Sequence, residues 1–322
     1  MKTSSFSWLF AVAVLLAVVI PAQAQYPVRP IRLIVPFPPG GGTDTMARVI
    51  GPKLGEALGQ QIVPENRGGA GANIGAEIAA KSAPDGYTLL LNTITNAIGA
   101  SLYSKLNYDL VRDFAPITQL ATTPHILVVH PSVPVKSVKE YIAFARARPG
   151  ELTYSSSGNG SAAHLAGELF NSLTGVKSVH VPYKGGGPSV TALVGGEVSL
   201  CFATMPSAIN YVKSGRLRGI AVTTAQRSPS TPQLPTIAET GIPGYEAGSW
   251  YGLSAPAGTS KEIIGRLQAE TIKVMGLPDV KERLFNAGFE IVTSTPEQFA
   301  EFTRTEIQKW GKLVKAAGLK VD

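Results

Sequence analysis

The chain has 322 residues, a net charge of +7, 44% hydrophobic residues and a single cysteine. That length is enough for two separate cores, and one cysteine excludes an intrachain disulfide. The basic residues are scattered, with small clusters only at Arg146/Arg148 and Arg216/Arg218. They do not interleave with aromatics, which argues against a nucleic-acid partner. The mild positive excess suits attraction of an anion, and equally suits ordinary solvated surface.

In chain order, Lys2 precedes an apolar run from Trp8 to Ile20, followed by Pro21-Ala22-Gln23-Ala24-Gln25. A short charged region, an apolar region and an Ala-x-Ala site make residues 1–24 an expected cleavable export signal. The run is shorter than the roughly 20 residues a membrane span needs. No cysteine follows it to carry a lipid anchor, and no later segment is apolar enough to cross a bilayer. A periplasmic address fits.

Strand-like and helix-like segments then alternate, which predicts an α/β fold with largely parallel sheets. Ile31 to Phe37 is a nearly unbroken apolar run, as for a strand covered on both faces. Met46, Val49, Ile50, Leu54 and Leu58 mark one face of a helix from Thr43, closed by Gly59. A strand near Ile62, a helix over Asn73–Lys81 and a strand over Tyr87–Leu91 follow. The middle of the chain repeats the alternation, with helices over Val138–Arg146, Ser161–Leu173, Pro188–Val194 and Ser207–Lys213. Strands over Leu152–Ser155, Val179–Pro182, Val198–Phe202 and Gly219–Thr223 separate them. Cys201 falls in one of these apolar runs and reads as a buried thiol rather than a nucleophile. Gln226–Pro235 reads as a surface loop, and two helical stretches, Lys261–Met275 and Pro296–Ala316, close the chain.

Two long extended segments, Thr118–His130 and Gly248–Pro256, bracket the middle and read as crossings between two lobes. Lobe 1 would then be discontinuous, 25–124 with 250–322, and lobe 2 would be 125–249.

The strongest local feature is Pro36-Phe37-Pro38-Pro39-Gly40-Gly41-Gly42-Thr43-Asp44, which joins the first strand to an amphipathic helix. Glycines let backbone approach a ligand closely, and Thr43 or Asp44 can cap the helix. Exposed amides at a helix start suit an anion at the carboxyl end of a strand. A plain glycine turn satisfies the same residues. Tyr154-Ser155-Ser156-Ser157-Gly158-Asn159-Gly160-Ser161 has the same grammar. Ser161 is an N-cap there, and His164 in the first helical turn is either a donor or a capping or core histidine. Asn92-Thr93-Ile94-Thr95-Asn96 adds a third strand end with hydroxyl and amide donors. Two helix starts, one per lobe, suit a ligand with two anionic ends.

Enzyme signatures are missing from the sequence. Gly158–Ala163 loosely matches a dinucleotide fingerprint, yet no Asp or Glu occurs between Phe170 and Gly196 to hold a ribose. No Walker lysine follows Gly42, no Gly-x-Ser-x-Gly elbow exists, and no His-Glu-x-x-His motif occurs. His125 and His130, five apart on an extended segment, face opposite sides of it, so no metal site is expected, nor any cofactor.

The chain resembles the Bug-type solute receptors of tripartite tricarboxylate transporters. The resemblance rests on Pro36–Asp44, on Glu65-Asn66-Arg67-Gly68-Gly69-Ala70-Gly71, and on Pro84-Asp85-Gly86-Tyr87-Thr88-Leu89-Leu90. It continues through His180-Val181-Pro182-Tyr183-Lys184-Gly185-Gly186-Gly187-Pro188 and Trp250–Thr259. It implies a two-lobed type II periplasmic-binding-protein fold with the ligand cleft between the lobes. It further implies a monomeric receptor that captures a small carboxylate through amides, hydroxyls and waters and passes it to membrane permease subunits. The positions matching the family's ligand contacts are Phe37, Gly40, Gly41, Thr43, Asp44, Thr93 and Thr95. From the second lobe come Ser156, Gly158, Ser161, His164 and Thr204. Arg67–Gly71 and Lys184–Gly187 read as fold-defining turns. Many relatives of this pattern carry an acid after the strand ending here at Phe202–Pro206. Its absence argues against an ammonium-bearing ligand and for a dicarboxylate or related organic acid. A receptor that presents its solute to a membrane sensor, or an enzyme using the same cleft, are the alternatives.

Overall fold

The computed structural model describes residues 26–316; the expected export signal lies outside them. Strand β1 (Ile31–Val35) is buried except at Arg32, as its apolar run requires. It lies between β2 (Ile62–Asn66) and β3 (Thr88–Thr93), all three parallel. Helices α1 (Gly42–Leu58), α2 (Asn73–Ala80) and α3 (Ile94–Leu102) follow these strands in turn. Gly59 ends α1 at φ 73°, a left-handed turn that favours glycine.

Strand β4 (Phe114–Val129) then runs for 16 residues. After it come α4 (Val138–Arg146), β5 (Thr153–Ser156), α5 (Ala162–Thr174), β6 (Val179–Pro182) and α6 (Gly186–Val194). Next are β7 (Leu200–Thr204), α7 (Met205–Lys213) and β8 (Arg218–Val222). The chain returns through β9 (Gly248–Pro256), followed by α8 (Lys261–Gly276), α9 (Pro278–Asn286), β10 (Glu290–Ile291) and α10 (Pro296–Ala316).

The outer strands are parallel, as the alternation predicted, with β5 lying between β6 and β7. The central ladders are not. Strand β9 runs antiparallel to β3 and to β4, and β4 runs antiparallel to β7 and β8. The reason is topological: β4 and β9 run between the two halves of the sheet in opposite directions. They are also not loose connections, because Phe114–Pro124 pairs along the whole of β9. From His125 to Val129 the same strand β4 joins β7 on one side and β8 on the other.

Each sheet half is covered on both faces. Leu33, Met46, Leu91 and Leu267 pack under one face of the first half, and Ile34, Leu90, Ile98 and Phe299 under the other. Leu127, Tyr141, Phe170 and Phe202 fill one face of the second half, and Val128, Cys201 and Ile209 the other. Cys201 is buried, as expected, with Sγ 3.3 Å from Ser189 Oγ. Two helices were not read from the sequence. Helix α3 is short, and its polar Thr95 and Asn96 are buried along with most of its apolar residues, so it lacks the polar contrast that periodicity needs. Helix α9 follows α8 after Leu277 alone. Helix α10 is fastened across β9 by Glu306, whose one carboxylate oxygen accepts the indole N–H of Trp250 at 3.0 Å and of Trp310 at 3.1 Å.

Candidate functional site

Five strand-to-helix junctions, two from the first half and three from the second, meet at one cavity of about 30 Å3. Gly42 and Thr43 begin α1, Thr93 and Thr95 begin α3, Ala162 and Ala163 begin α5, Gly186 begins α6, and Thr204 precedes α7. The first amides of a helix have no intrahelical acceptor, and each helix start carries partial positive charge. The cavity therefore gathers five positive dipole ends. Among the described residues, none lining it is Asp, Glu, Lys or Arg.

The floor is formed where β4 and β9 cross. His125, Ser249 and Tyr251 face inward there. His125 is buried, and burial pushes its imidazole down to about 4, so it is neutral at pH 7. Its Nε2 lies 3.5 Å from Ser249 Oγ, while Nδ1 is buried without a hydrogen-bond partner among the described residues. Burial likewise raises the Tyr251 phenol, which remains a neutral hydroxyl. That hydroxyl sits against Gly42, where any Cβ would overlap it. This contact, rather than an unusual φ, makes the third glycine of the loop obligatory.

The two sides of the cleft touch. A Cβ on Gly187 would lie 2.5 Å from the Pro39 carbonyl oxygen, and one on Gly185 would lie 2.8 Å from Pro38 Cδ. On the opposite side, a Cβ on Gly71 would lie 3.2 Å from the Asn159 carbonyl oxygen. Glycine thus brings the two sides of the cleft into contact at Gly71, Gly185 and Gly187.

Of the residues singled out from sequence, Phe37, Gly41, Thr43, Thr93, Thr95 and Thr204 line this cavity. Gly40, Asp44, Ser156, Gly158, Ser161 and His164 do not line it; they shape the loops. Gly40, at φ 88°, donates its N–H to Asp44 Oδ2 at 3.1 Å. Asp44 also accepts from Arg48 Nε at 2.9 Å and from Asn66 Nδ2 at 3.1 Å. Burial would raise this carboxyl, yet those hydrogen bonds outweigh burial and hold it lowered. Its charge is fully occupied inside the loop. The expected cap on α1 is absent: the N-cap is Gly41, with no side-chain cap bond. Thr43 is accordingly free to face the cavity.

In the second loop, Ser161 caps α5 by accepting the His164 N–H at 3.2 Å, as predicted. Ser156 Oγ accepts the Gly158 N–H at 3.1 Å and lies 2.6 Å from His180 Nε2. His164 accepts the Gly160 N–H on Nδ1 at 3.1 Å. Its ring stacks on His180 with centroids 4.0 Å apart, and His180 stacks on Tyr154 at 4.9 Å. Desolvation lowers both imidazoles, His180 to about 3 with the neighbouring His164 adding to it. His164 is therefore a core histidine behind the loop. Reading by sequence missed His125, Ala162, Ala163, Gly186, Ser249 and Tyr251 on the cavity wall, while Gly42 and Ser157 fall inside the two glycine-rich loops it singled out. Ser249 and Tyr251 share one face of an extended segment, a signal that was available; Ala162, Ala163 and Gly186 offer no side-chain function to read.

Residues 46–319 match the family model described as tripartite tricarboxylate transporter family receptor. The chain belongs to this receptor family. It is 41% identical over 298 residues to protein BugT of Bordetella pertussis, covering 92% of this chain and 91% of that one. Among solved structures, R. palustris Rpa4515 with adipate is 40% identical at a TM-score of 0.88, over 92% of this chain and 99% of that chain. MatC (Rpa3494) from Rhodopseudomonas palustris with bound malate is 33% identical at a TM-score of 0.85, over 90% of this chain and all of that chain. The architecture is the two-lobed periplasmic-binding-protein fold. No helix among the described residues is long and apolar enough to cross a membrane.

Proposed function

We propose that this protein is a periplasmic receptor that closes around a small carboxylate, a dicarboxylate or related organic acid, and delivers it to the permease of a tripartite tricarboxylate-type transporter. The observation that carries this reading is the convergence of five helix starts on one cavity with no Asp, Glu, Lys or Arg among the described residues that line it. Aimed amides and hydroxyls suit an anion, and the absence of a lysine or arginine clamp leaves capture to groups that only the closed arrangement brings together. Adipate and malate on two relatives support the same ligand class. The pattern at residues 1–24 supports export, and the protein would act as a monomer.

In this reading Phe37 is an apolar wall. Gly41, Gly42, Thr43, Ala162 and Ala163 offer backbone amides, and Thr93, Thr95, Ser157, Thr204, Ser249 and Tyr251 offer hydroxyls. Gly40, Asp44, Ser156, Gly158, Ser161 and His164 hold the loops in shape. The lobes divide near 124/125 and 249/250, at the β4 and β9 crossings. Binding without turnover is favoured over catalysis because the one histidine in the cavity has its basicity suppressed by burial. A thermal-shift panel of mono-, di- and tricarboxylates tests the reading, since a ligand of the folded state raises stability by mass action. Stabilisation by amino acids with none by any simple carboxylate would refute it.

A further inference from the structure

Where β4 and β9 cross, a second cavity of about 260 Å3 lies beside the one at the helix starts, and the two share only Ser249. Its character is opposite: Glu246, Glu290 and Glu306 line it with a single cation, Lys309. Glu246 and Glu290 are exposed, whereas Glu306 is only 8% exposed. Oε2 of Glu306 accepts both indole N–H groups, from Trp250 and Trp310, and Oε1 accepts no hydrogen bond from the described residues. Lys309 does not neutralise it. That lysine is exposed, and its Nζ lies 6.0 Å from the centre of the Trp310 ring rather than in a salt bridge with any of these glutamates. A buried carboxylate is costly unless a cation or a full set of donors meets it. The indoles fasten helix α10 through one oxygen and leave the other unclaimed.

An apolar groove of about 190 Å3 continues from this cavity, because Ala247 and Trp310 line both. It runs between α5 and α10 and is walled by Leu165, Leu169, Leu313 and Val314. Leu313 is exposed, so the groove is open to water. Glu168 also lines it, with its carboxylate held by the Tyr154 hydroxyl.

We propose that the acidic cavity and the groove together bind an amphiphilic organic cation, a primary amine with an apolar tail. The ammonium group, with three donors, meets Glu306 Oε1 in a charge-assisted bond. Glu246 and Glu290 add to the field, and the tail lies along the groove between α5 and α10. Each methylene that the groove removes from water should raise affinity about fourfold. The site differs from the anion cavity in place and in sign of charge, so it stands or falls independently of the carboxylate reading.

The chain carries its own probe. Of its three tryptophans, Trp8 lies in the expected export signal and the other two are Trp250 and Trp310. Tryptophan emission of the exported protein therefore reports on the two indoles bound to Glu306. The test is titration with butylamine, hexylamine and hexanol, followed by emission and by calorimetry. Hexylamine should change the emission saturably, and should bind about fifteenfold tighter than butylamine and about tenfold tighter than hexanol. Glu306→Gln keeps a carbonyl oxygen for the indoles and should erase the advantage of hexylamine over hexanol while leaving hexanol unchanged. Lys309→Met, at an exposed position where folding is not at stake, should leave hexylamine binding as tight or tighter. No saturable change with hexylamine overturns the proposal. So does equal affinity for hexylamine and hexanol in the unaltered protein, a hexylamine advantage that survives Glu306→Gln, or weaker hexylamine binding in Lys309→Met.

Discussion

Replacing Gly187 by alanine isolates the closed contact. Gly187 is the second residue of α6, and its φ lies outside the left-handed region. Alanine therefore suits the helix, and in a helix interior it is favoured over glycine by up to about 1 kcal/mol. The obstacle lies across the cleft. The new Cβ would stand 2.5 Å from the Pro39 carbonyl oxygen and 3.2 Å from both Cα and C of Gly40. A carbon–oxygen contact settles near 3.3 Å, so the two loops must part by about 0.8 Å. All three atoms are backbone, so no rotamer change relieves the overlap. Overpacking of this kind costs about 1–3 kcal/mol, and here the cost falls on the closed state alone. If ligand binds only that state, affinity should drop about 5- to 150-fold.

Two measurements separate this from a folding defect. Without ligand, the Gly187→Ala melting temperature should match or slightly exceed that of the unaltered protein, whereas calorimetry should show the weakened binding. Small-angle scattering should show that saturating carboxylate compacts the unaltered protein more than the variant. Gly265→Ala is the control: it lies on α8 with nothing within 4 Å of the new Cβ, and it should leave affinity unchanged. Affinity for Gly187→Ala within about twofold of the unaltered protein would refute the argument, because the Pro39–Gly187 contact would then not belong to the ligand-bound arrangement.

Three further perturbations read the cavity and its loops. His125 has a folded-state pKa of about 4, below the unfolded value of about 6.5. Its neutral burial thus contributes stability that is full above pH 6.5 and is lost as pH falls through 4, about 3 kcal/mol in all. His125→Leu should flatten that acid limb in urea melts at pH 7 and pH 4.5, and parallel curves for the two proteins would count against it. Asp44→Asn removes the charge that gathers Arg48, Asn66 and the Gly40 N–H. A loss of about 1–3 kcal/mol in denaturant stability is expected, with faster hydrogen exchange at Gly40; an unchanged midpoint would mean the loop holds its shape without that carboxylate. Gly42→Ala places a methyl against the Tyr251 hydroxyl and should abolish carboxylate binding. Adding Tyr251→Phe should recover part of it, and a double-mutant cycle with no coupling would separate the two residues.

Much of the fold was legible because its signals are local. Apolar runs marked β1 and β3, spacing marked α1, and glycine after a strand marked the junctions. The chemistry was less legible because part of it is backbone. Ala162, Ala163 and Gly186 reach the cavity only through backbone placed by helix starts, and no residue-type argument finds an amide. His125 was invisible for another reason: its inward direction depends on where β4 leaves one sheet and enters the next, a register fixed by pairing with Thr204 and Val222-side neighbours rather than by its own sequence. Asp44 and His164 lie off the cavity wall. Both sit beside the glycine loops and carry reactive groups, yet Asp44 is spent on Arg48, Asn66 and Gly40, and His164 on Gly160 and the ring of His180.

That division between holding the loop and facing the ligand bears on release. An arginine clamp would keep attracting a carboxylate after the lobes part, because its charge travels with one lobe. Dipole ends and hydroxyls from two lobes lose their joint effect as soon as the cleft opens, since the interaction of each with an anion is short-ranged and competes with water. A lining without fixed cations therefore ties affinity to closure. The glycine contacts at Gly185–Gly187 permit that closure, and Asp44 keeps the opposing loop ready for it. Parting Pro39 from Gly187 would open the cavity without having to overcome a buried charge.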